Sequence, residues 1–321
     1  MNLLLLSDIH YAGPAETARG GDYEMEAIPN ARTRFLARAY RHWFWMRNPL
    51  DRTPQFHAFL RQPIEADHVI VNGDFAMDSG FIGVADPACL ESARICLEAL
   101  AQKFGDRLRL VLGDHELGKR TLFSNRGNMS LESWKLATER LRIPSFWQIN
   151  EGRYVLMGVT SSLITLPAHS ADVLPDDQME WQKLRVNHLD QIRKAFSSLE
   201  PDQRVLLFCH DPTALPFLAA EKEIRDRLGQ VEQTVIGHLH SDLILWKSRF
   251  LAGMPVLRGL GPSVAKMTAA LHQAREWAPF KVRLCPALAG IELLNDGGYF
   301  MANLDPLGRW PVRFEFYSLP R

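Results

Sequence analysis

Short apolar runs that end in polar motifs constrain the fold of this chain more than any other feature. The runs are three to six residues long and rich in Val, Leu and Ile, which is typical of strands buried on both faces. They lie at 3–6, 69–71, 108–112, 154–159, 205–208 and 231–236. Helical patterns at 87–103 and 175–199 lie between them. Alternating strands and helices predict an α/β layered domain.

The pattern changes after Trp246, where the apolar stretches become shorter and are separated by Gly, Pro and Asn. They lie at 255–257, 282–284, 290–294, 298–302 and 312–316. This spacing is typical of antiparallel strands. We therefore predict one domain over 1–321, in which 247–321 supplies antiparallel strands of that same domain.

The segment 11–66 is longer than a crossover helix needs, and we predict that it is an inserted cap. Within it, 32–47 has large apolar side chains at helical spacing. Arg32, Arg34, Arg38 and Arg41 accompany them, and no Asp or Glu occurs from 27 to 50. Three interpretations stay open: the arginines bind a phosphate-bearing substrate, the helix lies on an anionic membrane surface, or its apolar stripe packs on the main domain.

The overall charge balance excludes one class of partner. The chain has 37 basic and 37 acidic residues and a formal net charge of zero, so the broad positive field that favours nucleic acid binding is not expected.

The four cysteines lack the spacing of a metal or disulfide framework, and no apolar run is long enough to cross a bilayer. We therefore expect a cytoplasmic protein without a nucleic acid partner.

Five polar motifs follow the ends of predicted strands, where the loops of an α/β sheet converge on ligands. They are Asp8-Ile-His10, Gly73-Asp74, Gly113-Asp114-His115-Glu116, His210-Asp211 and Gly237-His238-Leu239-His240. Carboxylate and imidazole together are typical ligands of manganese, iron or zinc. In Asp8-Ile-His10 and His238-Leu239-His240 one residue separates the two candidate ligands. Along an extended backbone alternate side chains point to the same side, so both members of each pair would face one region. The motifs therefore predict a site for divalent metal ions.

In type and order these motifs resemble those of the calcineurin-like metallophosphoesterases, which run D-x-H, G-D, G-N-H-[D/E], H and G-H-x-H. The resemblance implies a four-layer α-β-β-α sandwich with mixed sheets, here with an inserted helical cap. It also implies two divalent metal ions, with manganese preferred over iron or zinc. One ion would be bound by Asp8, His10 and His240, the other by Asp114, His210 and His238, and both by Asp74.

The same resemblance makes His115 the second-sphere imidazole that contacts the phosphoryl oxygen or protonates the leaving group; its alternative role is to orient a ligand. Two positions depart from the family pattern. Asp114 stands where Asn is usual and adds a negative charge at the second metal. Met77 stands where an acid usually supports the catalytic His, and Asp78, one residue later, is the candidate for that support.

The reaction implied by the resemblance is hydrolysis of a phosphomonoester, phosphodiester or pyrophosphate bond by a metal-bridging hydroxide. The substrate would be a small-molecule phosphoester, and nucleotide- or lipid-linked esters suit a basic and aromatic cap. Such a cap resembles that of the UDP-diacylglucosamine pyrophosphohydrolases of lipid A synthesis. The other alternative is a non-catalytic interaction module on the same fold, which should have lost ligands; here every ligand position carries a coordinating side chain.

Overall fold

Ten strands form two five-stranded sheets in the computed structural model, which describes residues 1–26, 28–118, 127–260 and 262–319. The strands are β1 (Asn2–Leu6), β2 (His68–Asn72), β3 (Leu108–Val111), β4 (Phe146–Glu151), β5 (Tyr154–Val159), β6 (Arg204–Cys209), β7 (Val231–Ile236), β8 (Val282–Leu284), β9 (Gly298–Asn303) and β10 (Arg313–Ser318). The first sheet has the order β10-β9-β1-β2-β3 and the second has the order β4-β5-β6-β7-β8.

Helices lie around the two sheets. They are α1 (Pro14–Thr17), α2 (Tyr23–Glu26), α3 (Ala31–Trp43), α4 (Thr53–Leu60), α5 (Pro87–Phe104), α6 (Leu131–Lys135), α7 (Ser161–Ile164), α8 (Gln178–Ser197), α9 (Leu215–Ala220), α10 (Lys222–Arg225), α11 (Asp242–Phe250) and α12 (Pro262–Gln273). Helix α5 shows why the sequence predicted its bounds. Asp86 accepts a hydrogen bond from Ala88 N at 3.2 Å, and Gly105 ends the helix.

Strand alternation separates three cores, and these cores define four layers. Leu4 and Leu6 of β1 point outward into a core shared with α5, whereas Leu3 and Leu5 point inward between the sheets. The inner core also contains side chains of the second sheet, among them Phe208. A third core lies between the second sheet and α8. The structure is thus the α-β-β-α sandwich that the sequence predicted. The assignment of 1–321 to one domain stays a prediction, which the shared inner core supports.

The C-terminal part differs from the prediction of antiparallel strands in 247–321. Strands β9 and β10 are antiparallel as expected, but β8 pairs with β7 in parallel. The reason is that helices α11 and α12 lie between β7 and β8, and a helical crossover returns the chain in the same direction. The stretches 255–257 and 290–294 were also predicted as strands, and that prediction is wrong, since neither forms a strand.

The segment 11–66 contains helices α1 to α4. That it is an inserted cap stays a prediction, and it is called the cap below. In its main helix, α3, the buried residues are Ala37 and Arg41, while Phe35 and Trp43 are 71% and 65% exposed. The interpretation that the apolar stripe of α3 packs on the main domain is therefore wrong. Among the described residues, no helix has the length and apolar content needed to cross a bilayer.

The cap is fastened to the main domain through Glu292. The backbone N–H of Glu292 donates to the carbonyl of Trp45 at 2.6 Å, and its carboxylate pairs with the guanidinium of Arg52, which is largely buried. An ion pair removed from water in this way resists screening by salt more than a surface pair does. Trp45 is thereby fixed at the border between cap and sheets.

Candidate metal centre

The carboxyl ends of β1, β2 and β3 meet those of β6 and β7 at one edge of the sandwich. Hydrogen bonds join the two sheets at this edge: His238 N donates to Asp8 Oδ1 at 3.0 Å, and His210 Nδ1 donates to the carbonyl of Asn72 at 2.6 Å. The five polar motifs that the sequence placed at separate strand ends are therefore brought together by the packing of the two sheets.

The backbone at five of the candidate ligands is left-handed rather than extended. The φ angles are 49° at Asp8, 49° at His10, 56° at Asp74, 65° at His238 and 60° at His240. The expectation that alternation along extended backbone aligns each x-spaced pair is therefore wrong, although the paired side chains do reach a common region. L-residues adopt such φ values at a cost, and they persist where the surrounding structure fixes them, often at functional sites.

Two glycines allow the loops to approach this closely. A Cβ atom at Gly113 would lie 2.1 Å from Asp74 Oδ1, and one at Gly237 would lie 2.1 Å from Ser7 Oγ. Both distances are far inside van der Waals contact, so a side chain at either position would displace neighbouring site atoms.

One group of candidate ligands consists of Asp8, His10 and His240. His240 Nε2 lies 3.1 Å from His10 Nε2 and 3.3 Å from Asp8 Oδ1. All three side chains are buried. Ligand atoms that share an ion at about 2.1 Å are separated by about 3.0 to 3.4 Å, so these spacings suit a common divalent cation.

The second group consists of Asp74, Asp114, His210 and His238. Asp114 Oδ1 lies 2.9 Å from His238 Nδ1 and 3.2 Å from His210 Nε2. Asp74 Oδ2 lies 3.2 Å from His210 Nε2 and also 4.0 Å from His10 Nε2 of the first group. The Asp74 carboxylate therefore faces both groups.

The environment of His210 shows that a cation fits this position. A carbonyl oxygen can only accept, so Nδ1 must carry the hydrogen that it donates to Asn72. In the neutral ring, Nε2 then presents a lone pair to the carboxylates of Asp74 and Asp114, each 3.2 Å away. That arrangement is repulsive unless a proton or a metal ion lies at Nε2. Nitrogen and oxygen donors without a thiolate are the ligand set of manganese, iron or zinc.

Burial and charge perturb the acids and bases of the site in the directions expected for a cation site. Burial raises the pKa of Asp8 to about 6 and that of Glu116 to about 8, and the charge of Asp74 adds to both shifts. Burial disfavours the charged form of His210, but neighbouring carboxylates outweigh it and raise its pKa well above the usual value. A divalent cation would take the place of such protons.

His115 lies next to the carboxylate of Asp74, which faces both groups of candidate ligands. Its Nε2 is 3.8 Å from Asp74 Oδ2, and its Nδ1 donates to the carbonyl of Met77 at 2.7 Å. That bond leaves Nε2 as the nitrogen directed at the site. The carboxylate of Asp78 instead accepts from Gly83 N at 2.9 Å. A supporting role for Asp78 stays a prediction, and the observed partner of His115 Nδ1 is the backbone.

Glu116, which had no predicted role, fastens two of the ligand loops together. Its Oε2 accepts from Gly113 N at 2.9 Å and from Asp74 N at 3.2 Å, while its Oε1 accepts from Phe75 N at 2.7 Å. The side chain is fully buried. Its place after Asp114 and His115 was the one available signal, but Asp74 N and Phe75 N come from a loop that only the fold brings near.

The four arginines predicted as substrate-binding residues all lie in or beside α3 and make contacts within the cap. Arg32 is exposed, Arg34 donates to the carbonyls of Ile28 and Pro29, Arg38 pairs with Asp22, and buried Arg41 donates to the carbonyls of Gly21 and Met46. Substrate binding by these arginines stays a prediction. Trp45 is a cap residue that does reach the candidate ligands, since its ring centroid lies 4.6 Å from that of His240.

A family model described as calcineurin-like phosphoesterase matches residues 1–242. The chain belongs to this family. Calcineurin-like phosphoesterases use a dinuclear divalent metal centre, and the candidate groups around Asp74 suit one. This membership and the candidate groups around Asp74 are the basis for the activity proposed below.

Two solved structures resemble this phosphoesterase weakly. One is a purple acid phosphatase from yellow lupin (Lupinus luteus) seeds, with 11% identity, a TM-score of 0.38, and coverage of 75% of this chain and 38% of the lupin chain. The other is a dimetal phosphatase from Danio rerio, with 13% identity, a TM-score of 0.39, and coverage of 99% of both chains. This chain spans well under half of the lupin chain. Comparison with curated proteins finds no match.

Replacing Glu116 by Gln should loosen the metal centre without removing a candidate ligand. Gln presents an NH₂ group where the two oxygens now accept four backbone N–H donors, so one loop loses its fastening. We expect a 10- to 100-fold loss of metal affinity or activity, about the effect of removing an outer-shell partner. Metal titration of the purified variant measures it, and exposed Glu98→Gln on α5 is the matched control. Equal affinity in both variants would contradict this role for Glu116.

Proposed function

We propose that the chain hydrolyses small phosphoesters, with Asp8, His10 and His240 at one divalent ion, Asp114, His210 and His238 at the other, and Asp74 bridging them. The observation that carries this proposal is the position of Asp74 Oδ2, within 4.0 Å of ring nitrogens from both groups. When bound, the two ions would supply a hydroxide nucleophile and positive charge for the phosphoryl oxygens. We propose manganese for both ions, with iron or zinc as alternatives, because the donors are carboxylates and imidazoles.

His115 would act on the leaving group in this proposal. Its Nδ1–H donates to the Met77 carbonyl at 2.7 Å, which fixes the ring and aims Nε2 toward the region above Asp74. A protonated Nε2 there can give its hydrogen to a departing alkoxide or phosphate oxygen. The ring is mostly buried, at 8% exposure, so bulk water competes little for that proton.

The charge of the site favours diesters and pyrophosphate esters over monoesters. Asp8, Asp74 and Asp114 place three carboxylates among the candidate ligands, whereas Asn in place of Asp114 would leave two. The added negative charge weakens attraction for a substrate, and it does so more for a dianionic monoester than for a monoanionic diester. We therefore propose phosphodiesterase or pyrophosphohydrolase activity as the main reaction.

A nucleotide- or lipid-linked pyrophosphate is the second candidate substrate, favoured by the aromatic side chains near the first metal group. The ring of Trp45 covers His240, Tyr40 stacks on Trp45 with centroids 6.4 Å apart, and Phe44 stacks on Tyr40 at 6.0 Å. These three rings lead from the candidate ligands to the solvent-exposed surface of the cap, where a base or an acyl chain would find apolar contact.

We also propose a cytoplasmic location, with which the four buried free thiols are compatible.

Asp74→Asn should abolish most activity, because a neutral amide bridges two cations poorly. We expect a loss greater than about 100-fold together with a lower metal content, since changes outside the ligand shell already cost 10- to 100-fold. Elemental analysis and hydrolysis of a generic phosphodiester with added manganese measure both. Asp106→Asn, at an exposed position, is the control. Full activity in Asp74→Asn would rule out the two-metal assignment.

His115→Ala should retain metal but hydrolyse slowly. Loss of a general acid costs about 10²- to 10⁴-fold, and the deficit should be largest for esters with alkyl leaving groups and smallest for nitrophenyl esters, which depart without a proton. Rates across a series of leaving groups, with metal content measured in parallel, test this. An equal deficit for every leaving group would show that His115 does not donate the proton.

Asp114→Asn should shift substrate preference toward monoesters. Removing one negative charge beside the phosphoryl site should raise kcat/KM for a phosphomonoester relative to a phosphodiester by about tenfold, the size expected for one charge at close range in partly screened surroundings. Both substrates are assayed at saturating manganese, so that weaker metal binding does not obscure the comparison. An unchanged ratio would contradict the charge argument.

A further inference from the structure

Helix α3 presents its apolar side to solvent. Leu36 and Trp43 are seven residues, or about two turns, apart and so lie on one side of the helix. Phe35 lies beside them, and Phe35, Leu36 and Trp43 together are on the side opposite buried Ala37 and Arg41. Their exposures are 71%, 66% and 65%. A surface helix normally buries its apolar side, so an exposed stripe of this size marks a contact surface. We call it the outer face of α3, defined as Phe35, Leu36, Tyr40, Trp43 and Phe44.

Positive charge accompanies the outer face, although the chain as a whole is neutral. Arg32 precedes Phe35 by three residues and is exposed, and Arg47 is exposed beyond the end of the helix. The bonds of Arg34 go to carbonyl oxygens, which leave its charge in place. No Asp or Glu occurs from 27 to 50 to offset these charges. A surface that binds the outer face of α3 should therefore have an apolar interior and an anionic exterior.

An anionic phospholipid bilayer has that composition. Trp and Tyr favour the boundary between headgroups and acyl chains, and helices with this pattern lie in the plane of the boundary. A second copy of the chain fits less well, because a two-fold interface would set the same arginines against each other. Leu293 and Leu294, at 45% and 46% exposure, extend the apolar surface next to Glu292, which is bonded to Trp45.

We propose that the outer face of α3 docks on an anionic phospholipid surface and thereby brings the metal centre to lipid-linked phosphoesters. The row of rings from Phe44 through Tyr40 and Trp45 to His240 makes the connection between the docked face and the site. The link to lipid-linked substrates rests on the function proposed above. The docking itself does not depend on hydrolysis.

Co-sedimentation of the full chain with vesicles tests the docking. The protein should pellet with phosphatidylcholine vesicles that contain phosphatidylglycerol, and much less with phosphatidylcholine alone or at high salt. The variant Phe35→Ser/Leu36→Ser/Trp43→Ser should bind at least about 100-fold more weakly, given what each buried apolar side chain contributes. Arg32→Gln should bind about fivefold more weakly.

The matched control is Met179→Ser/Val186→Ser, which removes exposed apolar side chains, at 73% and 50% exposure, from α8 on the second sheet. It should bind vesicles like the parent protein. Hydrolysis of a water-soluble phosphodiester and metal content should be unchanged in the Phe35→Ser/Leu36→Ser/Trp43→Ser and Met179→Ser/Val186→Ser variants, which separates docking from folding and from the proposed reaction.

Three results would overturn the docking proposal. The parent protein could fail to bind anionic vesicles, or the triple variant could bind as the parent does. The parent could also be a dimer by sedimentation velocity that the triple variant converts to a monomer, which would assign the outer face to a second copy. If vesicles bind as expected but no phosphoester is hydrolysed, the docking stands and the proposed function fails.

Discussion

Negative charge is buried where the two sheets meet, and most features of this edge follow from that burial. The carboxylates of Asp8, Asp74 and Glu116 are at most 1% exposed. Ions out of water are costly unless donors or opposite charges surround them. Backbone N–H groups satisfy Glu116, and imidazoles together with divalent cations would satisfy the other two. Gly113, Gly237 and the left-handed candidate ligands allow the loops to approach closely around these buried acids.

Much of this arrangement could be predicted from the sequence because strand ends are local features. Six runs such as Leu3 to Leu6 were long and apolar enough to identify buried strands, and each motif followed directly. Strand β4 escaped prediction because it is a half-exposed edge strand in which Gln148, Asn150 and Glu151 interrupt the apolar pattern. Parallel pairing of β8 was also missed, since three residues carry no signal of direction.

Other features depend on contacts between distant segments, which periodicity does not record. The sequence showed Glu116 beside two candidate site residues, but its bonds to Asp74 and Phe75 cross 41 to 42 positions of the chain. Helix α3 is the clearest case. Its apolar spacing is the same whether the stripe faces the core or solvent, so the pattern predicted the helix and not its orientation. Arg41 is buried and donates to the carbonyl of Gly21, which precedes the helix, and to that of Met46, which follows it. These bonds turn this side of α3 inward and leave the apolar side in solvent.

The two metal groups differ in their access to solvent, and the cap is the reason. Asp8, His10 and His240 are enclosed, with side-chain exposures of 0%, 1% and 6%, and Trp45 covers the ring of His240. Asp114 and His238 are more open, with side-chain exposures of 15% and 31%. In the proposed reaction a phosphoryl group would enter from the second group, and its substituent would lie along the rings of the cap. The sheets place the candidate ligands, and Trp45 of the cap borders them.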